Sequence, residues 1–192
     1  MFDVLRHHIE KKTPLTDAEF ARASSLFTVR KLKKRQFLLQ QGDVCRYESF
    51  VVSGCLKSYH TDDQGNDHIL RFSTEDHWAG DLDSFLNNSP SSFNIEALEP
   101  VTVLIIDKPA LDALYLAVPK METFFRLLNQ NALIATSQRI IKNLSVPAKE
   151  RYEQFLATYP QLVQRIPLKD IASYLGITPV FLSKLRREKA NL

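Results

Sequence analysis

Only two cysteines, Cys45 and Cys55, occur in these 192 residues. They allow one bridge but no disulfide framework, and they exclude four-cysteine zinc or iron–sulfur ligation within one chain. Long apolar runs are missing too, since none approaches the ~18 residues that span a bilayer. The opening residues, MFDVLRHHIEKK, carry no basic-then-apolar stretch with a small-residue cleavage site. What is present is ordinary. Hydrophobic residues at 44% and charged residues at 24% argue against disorder and against a fibrous repeat. The length suits one mid-sized domain, or one domain with a small second one. A soluble, cytoplasmic protein with no membrane partner is expected.

A net charge of only +3 conceals a division. Residues 138–192 carry ten basic and four acidic side chains, a net of +6, which leaves −3 for residues 1–137. An acidic body with a basic tail suggests a polyanion partner for the tail. A solvated charged surface is the other reading of the same count.

From Phe27 to Asp107 short apolar runs alternate with turn residues. Phe37–Leu39, Phe50–Val52, Ile69–Phe72 and Val101–Ile106 are rich in β-branched and aromatic residues and too short for helices, so they predict strands. Gln41-Gly42-Asp43, Ser53-Gly54 and the run from Asp62 to Asp67 supply turns, the last as a hairpin tip. A β-sandwich or small barrel follows. Thr16-Asp17-Ala18-Glu19 has capping-box spacing and predicts a short helix leading in.

The period turns helical at Lys108. One helix is expected over Ala110–Ala117 and ends at Val118-Pro119, because the residue before proline disfavours helix. A second runs from Lys120 to Leu144, about 36 Å at ~1.5 Å per residue. Leu127, Ile134 and Ile141 recur every seven residues, with Leu133, Ile140 and Leu144 beside them. This spread is wider than one surface stripe. The helix is expected to bury one face on its own β region and another elsewhere, either on a second copy or inside a monomer. Val146-Pro147 reads as a hinge, Lys149–Thr158 as another helix and Tyr159-Pro160 as a break.

Leu168 to Arg187 has helix-turn-helix spacing. Ala172 is small where two helices cross. Gly176 sits where the chain leaves the first helix left-handed. Ile177 plugs the turn, Thr178 caps the second helix, and Pro179 suits its first position. Ile171, Leu175, Leu182 and Leu185 close a small core. Val180, Ser183, Lys184 and Arg187 turn outward as a face able to read bases and phosphates in a major groove, with Lys169 as a further phosphate contact.

With these residues in view, the chain resembles the Crp/Fnr superfamily of bacterial transcription regulators over nearly its whole length. Gln41-Gly42-Asp43 resembles the family's early glycine turn, and Phe50-Val51-Val52-Ser53-Gly54 its strand and following glycine. Gly80-Asp81-Leu82, with Pro90-Ser91-Ser92 and Ile95-Glu96-Ala97-Leu98, resembles its phosphate-binding cassette. The resemblance implies an α+β fold: a cyclic nucleotide-binding-like double-stranded β-helix (jelly roll) over 1–118, a dimerisation helix over 119–145, and a helix-turn-helix domain over 146–192. It implies a homodimer on a palindromic operator in double-stranded DNA, with RNA polymerase as a further partner, no required cofactor and no catalysis. The effector pocket would comprise Gly80, Asp81, Leu82, Ser91 and Ser92.

Four departures from the family pattern stand out. In cyclic-nucleotide-binding members an arginine pairs with the phosphate, and its position falls here on Ser91. The effector is therefore open, and tight cyclic AMP binding is not expected. The family's cysteine-held cluster cannot be built from two cysteines. Pro179, Val180 and Lys184 replace the Arg-Glu pair and arginine that read the best-known operator, so the operator should differ. Also, Tyr159–Pro167 is too short for a two-stranded wing. Two other functions compete: a ligand-sensing module whose tail binds protein, and a metal-holding enzyme. The second lacks a ligand set, since His60 and His68 lie at either end of the expected hairpin.

Overall fold

The computed structural model describes residues 1–190, with side chains as far as Glu188. Residues 191 and 192 of the expected helix-turn-helix domain, and the Lys189 side chain, lie outside the described residues. Two helices open the chain, α1 (Phe2–Glu10) and α2 (Asp17–Ser24). Thr16 caps α2 in a full capping box: its hydroxyl accepts from Glu19 N while the Glu19 carboxylate accepts from Thr16 N. Then come β1 (Thr28–Leu32), β2 (Phe37–Leu39), β3 (Tyr47–Ser53), β4 (Leu56–Thr61), β5 (Asp67–Ser73) and β6 (Trp78–Ala79). A short helix α3 (Leu82–Asn87) separates these from β7 (Asn94–Ala97) and β8 (Val101–Asp107).

The strands form two antiparallel four-stranded sheets, ordered β1-β8-β3-β6 and β2-β7-β4-β5. This is the jelly roll expected. Gly54 is required where β3 turns into β4: a Cβ there would sit 2.5 Å from Pro100 O. The β4–β5 hairpin tip is tied by Asp62, whose carboxylate accepts from the backbone N–H of Gln64 and Asn66. Its register corrects one expectation. His60 and His68 are direct cross-strand partners rather than residues at opposite ends, because the ladder runs on to Thr61 and Asp67. Each ring is engaged elsewhere: His60 Nδ1–H donates to Ser92 O, and His68 Nε2–H to Asp62.

Helices α4 (Lys108–Ala117) and α5 (Lys120–Ser145) follow, broken at Val118-Pro119 as expected. The N-terminal part of α5 packs on the first sheet through Met121, Phe124 and Phe125, all buried. Burying such a side chain contributes about 1.5–3 kcal/mol. Phe124 and Phe125 meet Trp78, and with Phe50 these rings enclose His8 of α1. The Trp78 indole N–H donates to His8 Nε2, so His8 Nδ1–H donates to Asp76. Burial holds the His8 pKa below its ordinary value, which keeps the ring neutral.

The chain ends in α6 (Ala148–Thr158), α7 (Leu168–Tyr174) and α8 (Pro179–Ala190). Tyr159–Pro167 winds through turns that bury Leu162 and Ile166. These three helices share one apolar cluster, which draws in Cys55 and packs against Phe72 and Leu98 of the roll. Among the described residues, no helix is long and apolar enough to cross a membrane.

Candidate nucleic-acid interface and effector cassette

The turn between α7 and α8 is built as its residues require. Gly176 adopts φ +66°, a conformation that glycine takes without steric cost. Ile177 N–H returns to Ala172 O, and Ile177 itself packs half-buried on the cluster. Thr178 Oγ1 accepts from Phe181 N, capping α8 one residue ahead of Pro179. Ile171, Ala172, Leu175, Leu182 and Leu185 are buried. Val180, Ser183, Lys184 and Arg187, spaced i, i+3, i+4 and i+7, are all exposed, Val180 at 81%. They therefore share one outward face. Ser183 Oγ–H is turned back to Pro179 O, leaving the hydroxyl free only to accept. Lys169 is exposed at the start of α7. Sequence reasoning missed Phe181, an exposed aromatic on the first turn of α8. Its only signal was an apolar residue beside a cap, which usually goes inward.

This unit does not hang free. Strand β5 is an edge strand, and Ser173 of α7 bridges its open side: the hydroxyl accepts from Ile69 N at 3.0 Å and donates to Asp67 O at 2.8 Å. Arg139 of α5 donates to Leu70 O and lies over the Tyr174 ring. Arg165 pairs with Glu75 and Glu99. Beneath these, Lys57 of β4 sits 3.5 Å from Asp170 of α7 and 3.6 Å from Glu96 of β7, all three side chains largely out of solvent.

The cassette after β6 is closed on itself. Asp81 caps α3 by accepting from Ser84 N, and Ser91, at the position expected to hold a phosphate-binding arginine, donates to Asp81 Oδ2 at 2.7 Å. Both residues are buried. Ser84 Oγ–H donates to Ser89 O and the same oxygen accepts from Cys45 N. Two expected pocket residues face away: Leu82 is 42% exposed and Ser92 is exposed, because Ser84 and Phe85 take the buried side of α3. Gly80 lines a cavity of about 510 Å³ in the roll, together with Leu39, Cys45, Ser49, Ala79 and Ile95.

One acid packs close beside Gly80. A Cβ on Gly80 would lie 3.0 Å from the Glu48 carboxylate, which packs against that backbone. Burial pushes Glu48 up to about 7; Arg71 pulls it down and Asp81 pushes it further up. Because its folded value is raised, Glu48 favours the native state most at acid pH, and that contribution is lost as pH rises through about 7. The Arg71 guanidinium donates to Gly80 O. Asp81 already has two donors, the Ser84 N–H and the Ser91 hydroxyl. Arg30 and Arg46 line the cavity with Gly80, but Ser91, where the family's phosphate-binding arginine would stand, offers a bound phosphate no charge. The two cysteines lie apart, Cys45 in the core of the roll and Cys55 in the C-terminal cluster, both buried and free.

The family model described as the cyclic nucleotide-binding domain matches residues 29–117. The fumarate and nitrate reduction regulatory protein of Vibrio cholerae is 30% identical over 168 residues, covering 80% of this chain and 65% of that relative. The regulatory protein HlyX of Actinobacillus pleuropneumoniae is 27% identical, covering 89% of this chain and 75% of its own. Against the first of these, the chain spans a little under two thirds of its relative's length. Among solved structures, the c-di-GMP-responsive global regulator CLP of Xanthomonas campestris superposes with a TM-score of 0.74 at 12% identity, over 92% of this chain and 93% of that one. The catabolite activator protein of Thermus thermophilus gives 0.62 at 19% identity, over 96% and 87%. The likeness to these two solved structures is one of fold.

Proposed function

We propose that this chain is a regulator of the Crp/Fnr type: a cytoplasmic, homodimeric transcription regulator that binds a palindromic DNA operator. The observation that carries this reading is the outward face of α8, capped, preceded by a left-handed glycine and unobstructed by the roll. Its relatives are regulatory proteins rather than enzymes, and RNA polymerase is the further partner such a role requires. Lys184, with Val180 and Ser183 beside it, reads base edges; Phe181 is placed to meet a thymine methyl; Arg187 and Lys169 hold phosphates.

Selection of bound sites from a random duplex library tests this directly. A two-fold symmetric consensus is expected, with half-sites about one helical turn apart. Lys184→Ala should cost roughly 1–3 kcal/mol and relax one or two base positions, whereas Arg187→Ala should weaken all sequences alike and flatten the salt slope. Equal losses on specific and random DNA for both variants would show that Lys184 reads no base.

The effector, on this reading, is not a tightly held cyclic nucleotide. Cyclic AMP and cyclic GMP are expected to bind no better than roughly millimolar, about 4 kcal/mol, because Ser91 stands where a cation is needed and is spent on Asp81. Isothermal titration decides it, and micromolar affinity for either nucleotide would overturn the argument. Ser91→Arg is the converse test and should raise affinity.

A further inference from the structure

The cavity of about 510 Å³ in the roll lies apart from the closed cassette. Of the residues expected to form the effector pocket, Gly80 lines it, but Asp81, Leu82, Ser91 and Ser92 do not. Its walls come from both sheets. Strands β1 and β3 flank β8, and the rows Arg30–Val103–Val51 and Thr28–Ile105–Ser49 put Arg30 and Ser49 on one face of the first sheet. Phe50 is on the opposite face and meets His8 of α1 there, so Arg30 and Ser49 are turned into the roll. Phe37, Leu39 and Ile95 of the second sheet close the other side.

Two kinds of polar group in this cavity are left without a partner. Arg30 is half-buried and Arg46 is exposed at the rim, and neither guanidinium has an ion-pair partner among the described residues. Asp43, exposed at the same rim, pairs with neither. Ser49 is the second observation. It is 1% exposed, and its hydroxyl has no hydrogen-bond partner among the described residues. A buried donor left unmade costs free energy that an alanine would avoid. Cys45, which lines the same cavity, is engaged: its Sγ accepts from Asp81 N–H and donates to Tyr47 O.

We propose that this cavity is a binding site, separate from the cassette, for a small aromatic carboxylate that carries a hydroxyl at its far end. The carboxylate meets Arg30 and Arg46, since guanidinium and carboxylate make charge-assisted hydrogen bonds of matching shape. The ring lies among Phe37, Leu39 and Ile95, and the far hydroxyl takes the Ser49 Oγ. The span agrees. The backbones of β1 and β3 stand about 10 Å apart, two strand spacings of ~4.8 Å, which leaves one ring and a short arm between the cation and the serine. Pockets of this kind are apolar with a few placed polar groups that fix orientation.

Isothermal titration of the full chain with para-hydroxycinnamate tests it. Wild type should bind with a Kd of about 100 μM or tighter. Cinnamate, which lacks the hydroxyl, should bind about tenfold more weakly, and so should the uncharged methyl ester of para-hydroxycinnamate. Ser49→Ala should bring para-hydroxycinnamate down to the level of cinnamate and leave cinnamate unchanged, which also shows that the variant is folded. Its Tm without ligand should not fall, because the hydroxyl it loses was unpaired. Arg30→Met should weaken both carboxylates about tenfold and leave the ester as it was. Wild-type binding weaker than about 1 mM overturns the proposal. So does a Ser49→Ala loss that is the same for both carboxylates, or an Arg30→Met variant with unchanged carboxylate affinity. The site does not depend on the regulator reading: a chain that binds para-hydroxycinnamate in this way but no DNA keeps this inference and loses that one.

Discussion

Ile134→Asp with Ile141→Asp is expected to give a folded monomer that has lost its operator. Helix α5 changes character along its length. Met121, Phe124 and Phe125 are buried in the roll, Leu127 and Leu128 are half-buried, and from position 131 onwards its own chain covers almost nothing. Yet this outer half carries Leu133, Ile134, Ile140, Ile141 and Leu144, between 53% and 84% exposed. Scattered surface leucines need no explanation, but five on one half-helix form a patch of the kind that marks an association surface. A second copy of the same helix is the partner of matching length and chemistry, and each side chain it covers would add about 1.5–3 kcal/mol. Two aspartates facing their own symmetry mates would remove that gain and add like-charge repulsion. Leu127 is already half-buried within its own chain whereas Ile134 and Ile141 are exposed, so the double variant is the cleaner test. Analytical ultracentrifugation at micromolar concentration should show the monomer. Operator affinity should fall at least a hundredfold, since one recognition helix then does the work of two. A wild-type chain that sediments as a monomer yet binds the operator tightly would refute the dimer.

The helix-turn-helix was legible from sequence because each of its positions has a local reason: Ala172 at the crossing, Gly176 at positive φ, Thr178 as the cap. The capping box at Thr16 and the proline breaks were legible on the same grounds. What escaped depends on distant partners. Strand β4 reads Leu-Lys-Ser-Tyr-His-Thr and shows no apolar run, because Lys57 is buried by carboxylates from β7 and α7 rather than by apolar neighbours. Helix α1 went unread, and its His8 is buried through Asp76 and Trp78, some 70 residues away in sequence. The cassette residues were singled out by resemblance, but the hydrogen bond from Ser91 to Asp81, and the Glu48 carboxylate beside Gly80, needed coordinates. Likewise, nothing in Ser173 announces that it will cover a sheet edge more than 100 residues upstream.

Lys57→Met should be among the most destabilising single substitutions in the chain. Lys57 lies between Asp170 and Glu96, with its ammonium 4.5 Å from the Tyr59 ring, and the three charged side chains are 4–16% exposed. Burial holds the Asp170 pKa above its ordinary value, and Lys57 is the nearest group that opposes the shift. Without the lysine, two carboxylates face each other in a place that water barely reaches. Breaking a buried pair in this way costs about 3–5 kcal/mol, or roughly 6–20 °C in Tm for a protein of this size. The loss should depend on pH with a definite sign. A carboxyl whose folded pKa is raised favours the native state below its unfolded value and loses that advantage as pH rises through the folded one. The variant should therefore recover stability as pH falls and Asp170 takes up a proton, and lose more as pH rises. Adding Asp170→Leu to Lys57→Met should restore much of the stability at pH 8, because an apolar pair replaces Lys57 and Asp170 and leaves Glu96 alone with the Tyr59 hydroxyl as donor. Thermal unfolding of wild type, single and double variants at pH 5 and pH 8 gives the comparison. A single-variant loss that is equal at pH 5 and pH 8, or that the second substitution deepens, would mean that the lysine acts through packing alone and that charge does not hold α7 to the roll.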